Sequence, residues 1–215
     1  VIAFIEGSHK KDEFIILTAH FDHLGKKGGK IYNGADDNAS GTSALLSIAE
    51  QLQAQPLNHS VIILFTDAEE ANLKGSKAFV RQNSNFIDKI KLNINLDMLA
   101  GGKSSNKLHY LQKGLTNLLT KDNFIAFKNR HNFVETNVVK GFRNKFRGQH
   151  HKTNWVKASD HSTFYDNGIP FIYYGVGTHK NYHTPQDNYA NTNLTLFINS
   201  ANIIYQQLVY LDSVI

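Results

Sequence analysis

The sequence predicts an α/β fold, a three-layer α/β/α sandwich on a mixed central sheet. Three observations carry this. Short apolar runs, FIILTA, VIILF and LNINL, recur along the chain and read as buried central strands. Segments with apolar residues at helical spacing fall between them. A further strand-like run, VIAFIE, opens the chain ahead of a polar turn, which makes the sheet mixed rather than purely parallel.

Taken in order, residues 1–6 and 13–19 are apolar runs parted by GSHKKD, and they are expected to pair as a hairpin. Residues 25–34 are a loop rich in glycine and lysine. In residues 40–54, Ala44, Leu45, Ile48, Ala49 and Leu52 mark one face of a helix, with Ser40 near its cap. Residues 61–65 are β-branched and apolar throughout, as in a strand buried on both faces. A second helix is expected over 70–82, a central strand over 92–96, and a strand over 106–112 followed by a helix around 115–124. Residues 170–176 read as a strand and 194–211 as a long closing helix. Residues 128–157 show no periodicity, and a long stretch of that kind inside a domain reads as an insert or lid.

The chain has 215 residues, enough for one sizeable domain with a full core. Hydrophobic content is 41% with three prolines, a globular balance rather than a disordered one. No apolar run is long enough to cross a bilayer. Cysteine is absent, which excludes disulfides and thiolate metal sites. No leader opens the chain, and because Val1 begins directly in a strand-like run, the chain is expected to be a fragment of a longer precursor. The formal net charge is +5, but residues 103–157 alone carry +10, and the remainder is net acidic. The basic run KGFRNKFRGQHHK interleaves Phe142 and Phe146, yet no nucleic-acid motif accompanies it, so a solvated flap is preferred over a nucleic-acid surface. A lid that attracts acidic peptides is the third reading.

The chemistry gathers just past the apolar runs. AHFDHLGKKGGKIYNGADDNASG places His20 and Asp22 after one strand, and Asp36, Asp37 and Asn38 before a helix. Glu69 and Glu70 follow VIILFTDA, Asp97 ends NINLD, and His183 lies in YHTPQDN. In open α/β sheets ligands collect at the carboxyl ends of strands. Imidazole nitrogens and carboxylate oxygens are ordinary zinc ligands, and a paired-ion site needs a bridging carboxylate. Each residue alone has a plainer reading. The two glutamates suit a helix start, Asp97 a cap or ion pair, and His183 a surface loop. His9, His59, His109, His131, His150 and His151 read as surface residues without a role, while His23 and His161 stay open because each follows an aspartate near the site.

The order of these segments resembles the M28 family of zinc aminopeptidases. The matching stretches are AHFDH, GADDNASG, FTDAEEANLKGS, NLDM, SDHSTF with GIPF after it, and YHTPQDN, spread over nearly the whole chain. The resemblance implies a single zinc-peptidase-like catalytic domain over residues 1–215, with the basic insert or lid around 128–157. It implies two Zn²⁺ ions, or other divalent metals, per chain. His20 and Asp97 would hold one ion, Glu70 and His183 the other, and Asp37 would bridge them next to a cis peptide. Glu69 would be the general base and Asp22 would orient His20. Asp36 ranks below Asp37 for the bridge. Asp160 and His161 would lie near the substrate, with Asp160 as a helix cap the competing reading. Tyr165, Tyr174 and Tyr182 are equal candidates for steadying an oxyanion. The expected partners are peptide or protein N-termini, with no nucleic acid and no membrane span. Many relatives are secreted or periplasmic, so export is expected on resemblance alone.

Three rivals stand beside this reading. A glutaminyl cyclase resembles it in fold but uses one zinc and tends to a tryptophan where this chain has Tyr182. A receptor-like relative would keep the fold and lose ligands. A carboxypeptidase could use the basic segment to recognise a free carboxylate.

Overall fold

The computed structural model describes residues 1–142 and 153–215. Its centre is β2 (Lys10–His20), whose second half is buried from Ile15 onward. Parallel neighbours flank it, β5 (His59–Thr66) on one side and β6 (Ile90–Leu96) on the other, and β9 (Phe171–Gly175) continues the parallel set beyond β6. β1 (Ile2–Ile5) closes one edge, antiparallel to β5. β7 (Lys107–Lys113) runs antiparallel to β9, and β8 (Asn137–Lys140) completes the other edge. The sheet is therefore seven-stranded and mixed, in the order β1-β5-β2-β6-β9-β7-β8. The expected hairpin does not form. β5 lies between β1 and β2, and the GSHKKD segment turns back onto its entry, with the Gly7 amide donating to the Ser60 hydroxyl at 3.0 Å.

Alternating side chains of the central strands feed two cores. Ile15, Leu17, Val61, Ile63 and Ile94 face α1 (Gly41–Ala54) and α6 (Leu194–Val214), which supply Leu45, Ile48, Ile203 and Leu208. Ile16, Ile62 and Leu64 face the other layer, where Phe79 comes from α2 (Lys74–Gln82) and Phe164 from α5 (His161–Asp166). Burial on both faces is what the unbroken apolar strands require. Each fully buried aliphatic side chain contributes about 1.5–3 kcal/mol.

Local departures have identifiable causes. The helix expected from residue 70 starts at Lys74, because Ala68, Asn72 and Leu73 adopt positive φ and turn the chain first. The helix expected over 115–124 is split into α3 (Leu115–Leu118) and α4 (Lys121–Lys128), since the Thr120 hydroxyl caps the second by accepting the Asn123 amide. The glycine-rich loop carries a small ladder of β3 (Gly25–Lys27) and β4 (Lys30–Tyr32). The segment read as a lid supplies β8 to the sheet edge, and Phe142 stacks against both Trp155 and Tyr173, at 4.6 and 4.8 Å. Most of the basic run, residues 143–152, lies outside the described residues. His59 is buried rather than superficial, since Asp212 of α6 accepts both its amide and its ring nitrogen. Among the described residues no helix is long and apolar enough to cross a membrane.

Candidate metal centre and substrate cleft

The four parallel strands end at one rim. His20 is the last residue of β2, in register with Thr66 at the end of β5, while Leu96 of β6 pairs with Tyr174 of β9. Glu69 and Glu70 follow β5, Asp97 follows β6, and His183 lies in the loop after β9. Asp37 arrives from the turn that enters α1. Gly34 at φ 63° starts that turn, and the Asp37–Asn38 peptide is cis. The Asn38 side chain donates through Nδ2 to the Leu96 carbonyl at 2.9 Å, while its Oδ1 accepts the backbone amides of Gly41 at 2.9 Å and Met98 at 3.1 Å. A side chain at Gly41 would stand 2.4 Å from the Leu96 carbonyl oxygen, so this close approach needs glycine.

Two clusters of donor atoms share Asp37. On one side, His20 Nε2 lies 3.5 Å from both Asp37 Oδ1 and Asp97 Oδ1. On the other, His183 Nε2 lies 3.1 Å from Asp37 Oδ2 and 3.2 Å from Glu70 Oε1. His23 joins this second cluster, with Nδ1 at 3.1 Å from Glu70 Oε1 and 3.8 Å from Asp37 Oδ2. The ring nitrogens of His23, Asp37 Oδ2, Glu70 Oε1, Asp97 Oδ1 and His183 Nε2 are buried, yet none has a hydrogen-bond partner of good geometry among the described residues. Polar atoms this close, without hydrogen-bond geometry between them, suit donors that converge on a cation. Donors about 2.0–2.2 Å from a tetrahedral ion stand roughly 3.3–3.6 Å apart; the first cluster's 3.5 Å falls in that range and the second's 3.1–3.8 Å spans it. The residues present fit divalent cations.

Surrounding groups fix these donors. His20 Nδ1 donates to the Asp22 backbone carbonyl at 3.1 Å, leaving Nε2 to face the carboxylates. The Asp22 carboxylate stands 3.7 Å from that ring, beyond hydrogen-bond reach. It accepts instead the amides of Glu69 and Glu70 at 3.0 and 3.2 Å, so it braces the glutamate pair more directly than the histidine. Asp36 is fully engaged. It accepts the amides of Ala100 and Gly101 at 2.7 Å and the His179 ring at 2.9 Å, which takes it out of the donor set.

Four carboxylates in a buried cluster perturb one another. Burial, with Asp97 and other nearby carboxylates adding to it, pushes Glu69 up to about 9. Burial also raises Asp37. Burial works to raise Glu70 as well, but His183 and His23 overcome it and hold Glu70 down at about 2. His183 would be lowered by burial, and Asp37 and Glu70 instead raise it to about 9.

The cleft over these groups has a volume of about 200 Å³ and is walled by Trp155, Tyr173 and Tyr182. Asp160 and His161 do not line it. Both are fully buried beneath, where Thr66 donates to Asp160, and the His161 ring donates to the Trp155 carbonyl at 2.9 Å and stacks on Tyr173 at 4.5 Å. Direct substrate contact is therefore corrected to a supporting position. Asp160 holds the capping position of α5 but its side chain makes no capping bond. Of the three tyrosines weighed from sequence, Tyr182 alone lines the cleft. Tyr174 is buried and donates to Gln207 at 2.7 Å, and Tyr165 lies apart. Tyr182 is raised, by burial first and nearby carboxylates second, so it keeps its proton and can donate. A larger cavity of about 520 Å³ beside Ala35, Leu194 and Phe197 has no acid or histidine in its described lining.

The chain is 27% identical to aminopeptidase YwaD of Bacillus subtilis over 188 residues, 83% of this chain and 37% of that protein. It is 31% identical to the alkaline phosphatase isozyme conversion protein of Escherichia coli over 151 residues, 63% of this chain and 42% of that one. Its fold superimposes on the LapA aminopeptidase of Legionella pneumophila with a TM-score of 0.76 at 19% identity, covering 99% of this chain and 55% of that structure. The chain thus spans about two-fifths of the length of these curated relatives. The family model of peptidase family M28 matches residues 1–208, and with that match the chain belongs to peptidase family M28.

Proposed function

We propose that this domain hydrolyses peptide bonds as an exopeptidase, releasing N-terminal amino acids with two divalent cations, zinc foremost. The observation that carries the reading is the placement of Asp37, whose two oxygens face separate groups of unpartnered donors. In the proposal His20 and Asp97 hold one cation, Glu70 and His183 the other, and Asp37 both. When bound, such a pair supplies an acidified water and Lewis acidity at the scissile carbonyl.

The chain's own groups do the rest. Glu69 lines the cleft with His20, Asp37, Asp97 and His183, and in this reading it takes the proton of the attacking water and returns it to the departing amine. In the ion-free cluster it holds a proton at neutral pH, and positive charge among these carboxylates favours the ionised form that a base needs. Tyr182 offers a protonated hydroxyl at the wall of the cleft, and the aromatic walls exclude water around the reacting bond. Asp22 keeps the glutamate pair in place. A single-zinc cyclase would leave one group of donors idle, and a receptor-like relative has no use for either.

Peptide or protein N-termini are the proposed substrates, and export beyond the cytoplasm is proposed on the family resemblance. Metal analysis of the purified protein with a panel of aminoacyl-anilides and blocked peptides is the test. Two ions per chain and cleavage of free-amine substrates alone support the reading. Fewer than two ions, no turnover, or release from the carboxyl end would overturn it.

A further inference from the structure

We propose that His23 is itself a cation ligand, so that the second cluster has four protein donors and the first has three. The inference rests on the two-cation reading above and goes beyond the donor set that reading uses. His23 Nδ1 lies 3.1 Å from Glu70 Oε1 and 3.8 Å from Asp37 Oδ2, the same two oxygens that His183 Nε2 faces at 3.2 and 3.1 Å. The side chain of His23 is only 8% exposed, and Nδ1 has no hydrogen-bond partner of good geometry among the described residues. Burying a polar nitrogen without a partner is costly unless something else completes it. The His23 and His183 rings meet edge to face at 5.7 Å, with Nδ1 of one and Nε2 of the other turned to the same pair of oxygens.

The backbone seats the His23 ring deliberately. Gly34 packs against it so closely that a side chain there would stand 2.6 Å from His23 Cγ and 2.4 Å from the Asp37 carbonyl oxygen. One glycine thus admits the imidazole and the turn that delivers Asp37. Placed this way, His23 differs from a surface histidine that merely neighbours the site.

The consequence is an asymmetric pair of sites. The donor atoms of His23, Asp37 and Glu70 all lie within 4.8 Å of one another, and His183, facing the same two oxygens, would be the fourth donor, the number that closes a tetrahedral shell. Asp37, His20 and Asp97 make three, the number that leaves a place for water or substrate. In that arrangement the exchangeable position would belong with His20 and Asp97, and the second cation would be the more firmly held.

The test is titration of the metal-free protein with Zn²⁺ against a chromophoric chelator, and separately with Co²⁺ followed by visible absorption. Wild type is compared with His23→Phe, which keeps a ring against Gly34, and with His23→Gln, which keeps a polar side chain if the first folds poorly. The expected result is two ions in wild type, and in the variants one unchanged ion and one weakened at least about tenfold. The Co²⁺ spectrum of the weakened equivalent alone should change. Two ions of unchanged affinity and spectrum in a folded variant overturn the role of His23 and leave the two-cation reading standing. Wild type that binds one ion or none overturns both.

Discussion

Asp187 holds Asp37 through the backbone. One oxygen of the Asp187 carboxylate accepts the Asp37 amide at 3.0 Å and the other accepts the Asp36 amide at 2.9 Å. Hydrogen bonds to a charged group contribute about 1.5–3 kcal/mol each. Asp187→Ala should therefore cost about 3 kcal/mol in urea unfolding of the metal-free protein and weaken both cations together, because Asp37 serves both clusters. A variant that lost one ion only would show that Asp187 acts elsewhere.

Glu69→Gln removes the proposed base while keeping its shape and its neighbours. Turnover of an aminoacyl-anilide should fall about 10²–10⁴-fold. Metal content, read by elemental analysis, should stay at the wild-type value. Near-normal turnover would take Glu69 out of the mechanism.

Asp22→Ala leaves the Glu69 and Glu70 amides without their acceptor. The expected outcome is a fall in kcat of about 10–100-fold with a smaller change in KM, because the glutamates lose their position rather than the cleft its shape. Steady-state kinetics at saturating metal would reveal it. An unchanged kcat would mean that the Glu69–Glu70 turn holds itself.

His161 makes stability depend on pH. Burial lowers this ring to about 4 in the folded chain, against about 6.5 when unfolded. Between those values the unfolded state binds the extra proton, so the contribution is present in full above pH 6.5 and is lost as pH falls toward 4. The loss amounts to about 3 kcal/mol. Urea melts of metal-free wild type at pH 7.5 and pH 4.5 should differ by about that much more than those of His161→Phe. Parallel pH slopes for the two proteins would refute the assignment.

Much of this centre was legible in the chain because its donors sit at the ends of apolar runs, where strand geometry alone predicts a common rim. His20, Asp37, Glu70, Asp97 and His183 stand close together at that rim. His23 stays open in the sequence: it follows an aspartate near the site, but nothing local tells whether its ring turns to Glu70 or to solvent. Its partner Gly34 stands both at the end of a glycine-rich loop and at the head of GADDNASG, and neither pattern tells that it packs on His23. Asp187 was not singled out because its work is done on backbone amides far away in sequence, which leaves no local pattern. The absence of the expected hairpin has a related cause. A polar turn between two apolar runs looks the same whether they pair or a third strand slides between them, and only β5 decides that. Asp160 and His161 were drawn toward substrate by motif, whereas α5 buries them beneath the cleft.

The level ending of the four parallel strands bears on how this chain tolerates insertions and deletions. A residue added to or removed from β2 or β6 would invert the alternation of side chains beyond it. His20 or Asp97 would then exchange the rim for a helical layer, and the fold could survive while the donors scattered. Length variation in descendants of this chain, natural or made in the laboratory, belongs in the connections at the opposite end of the sheet.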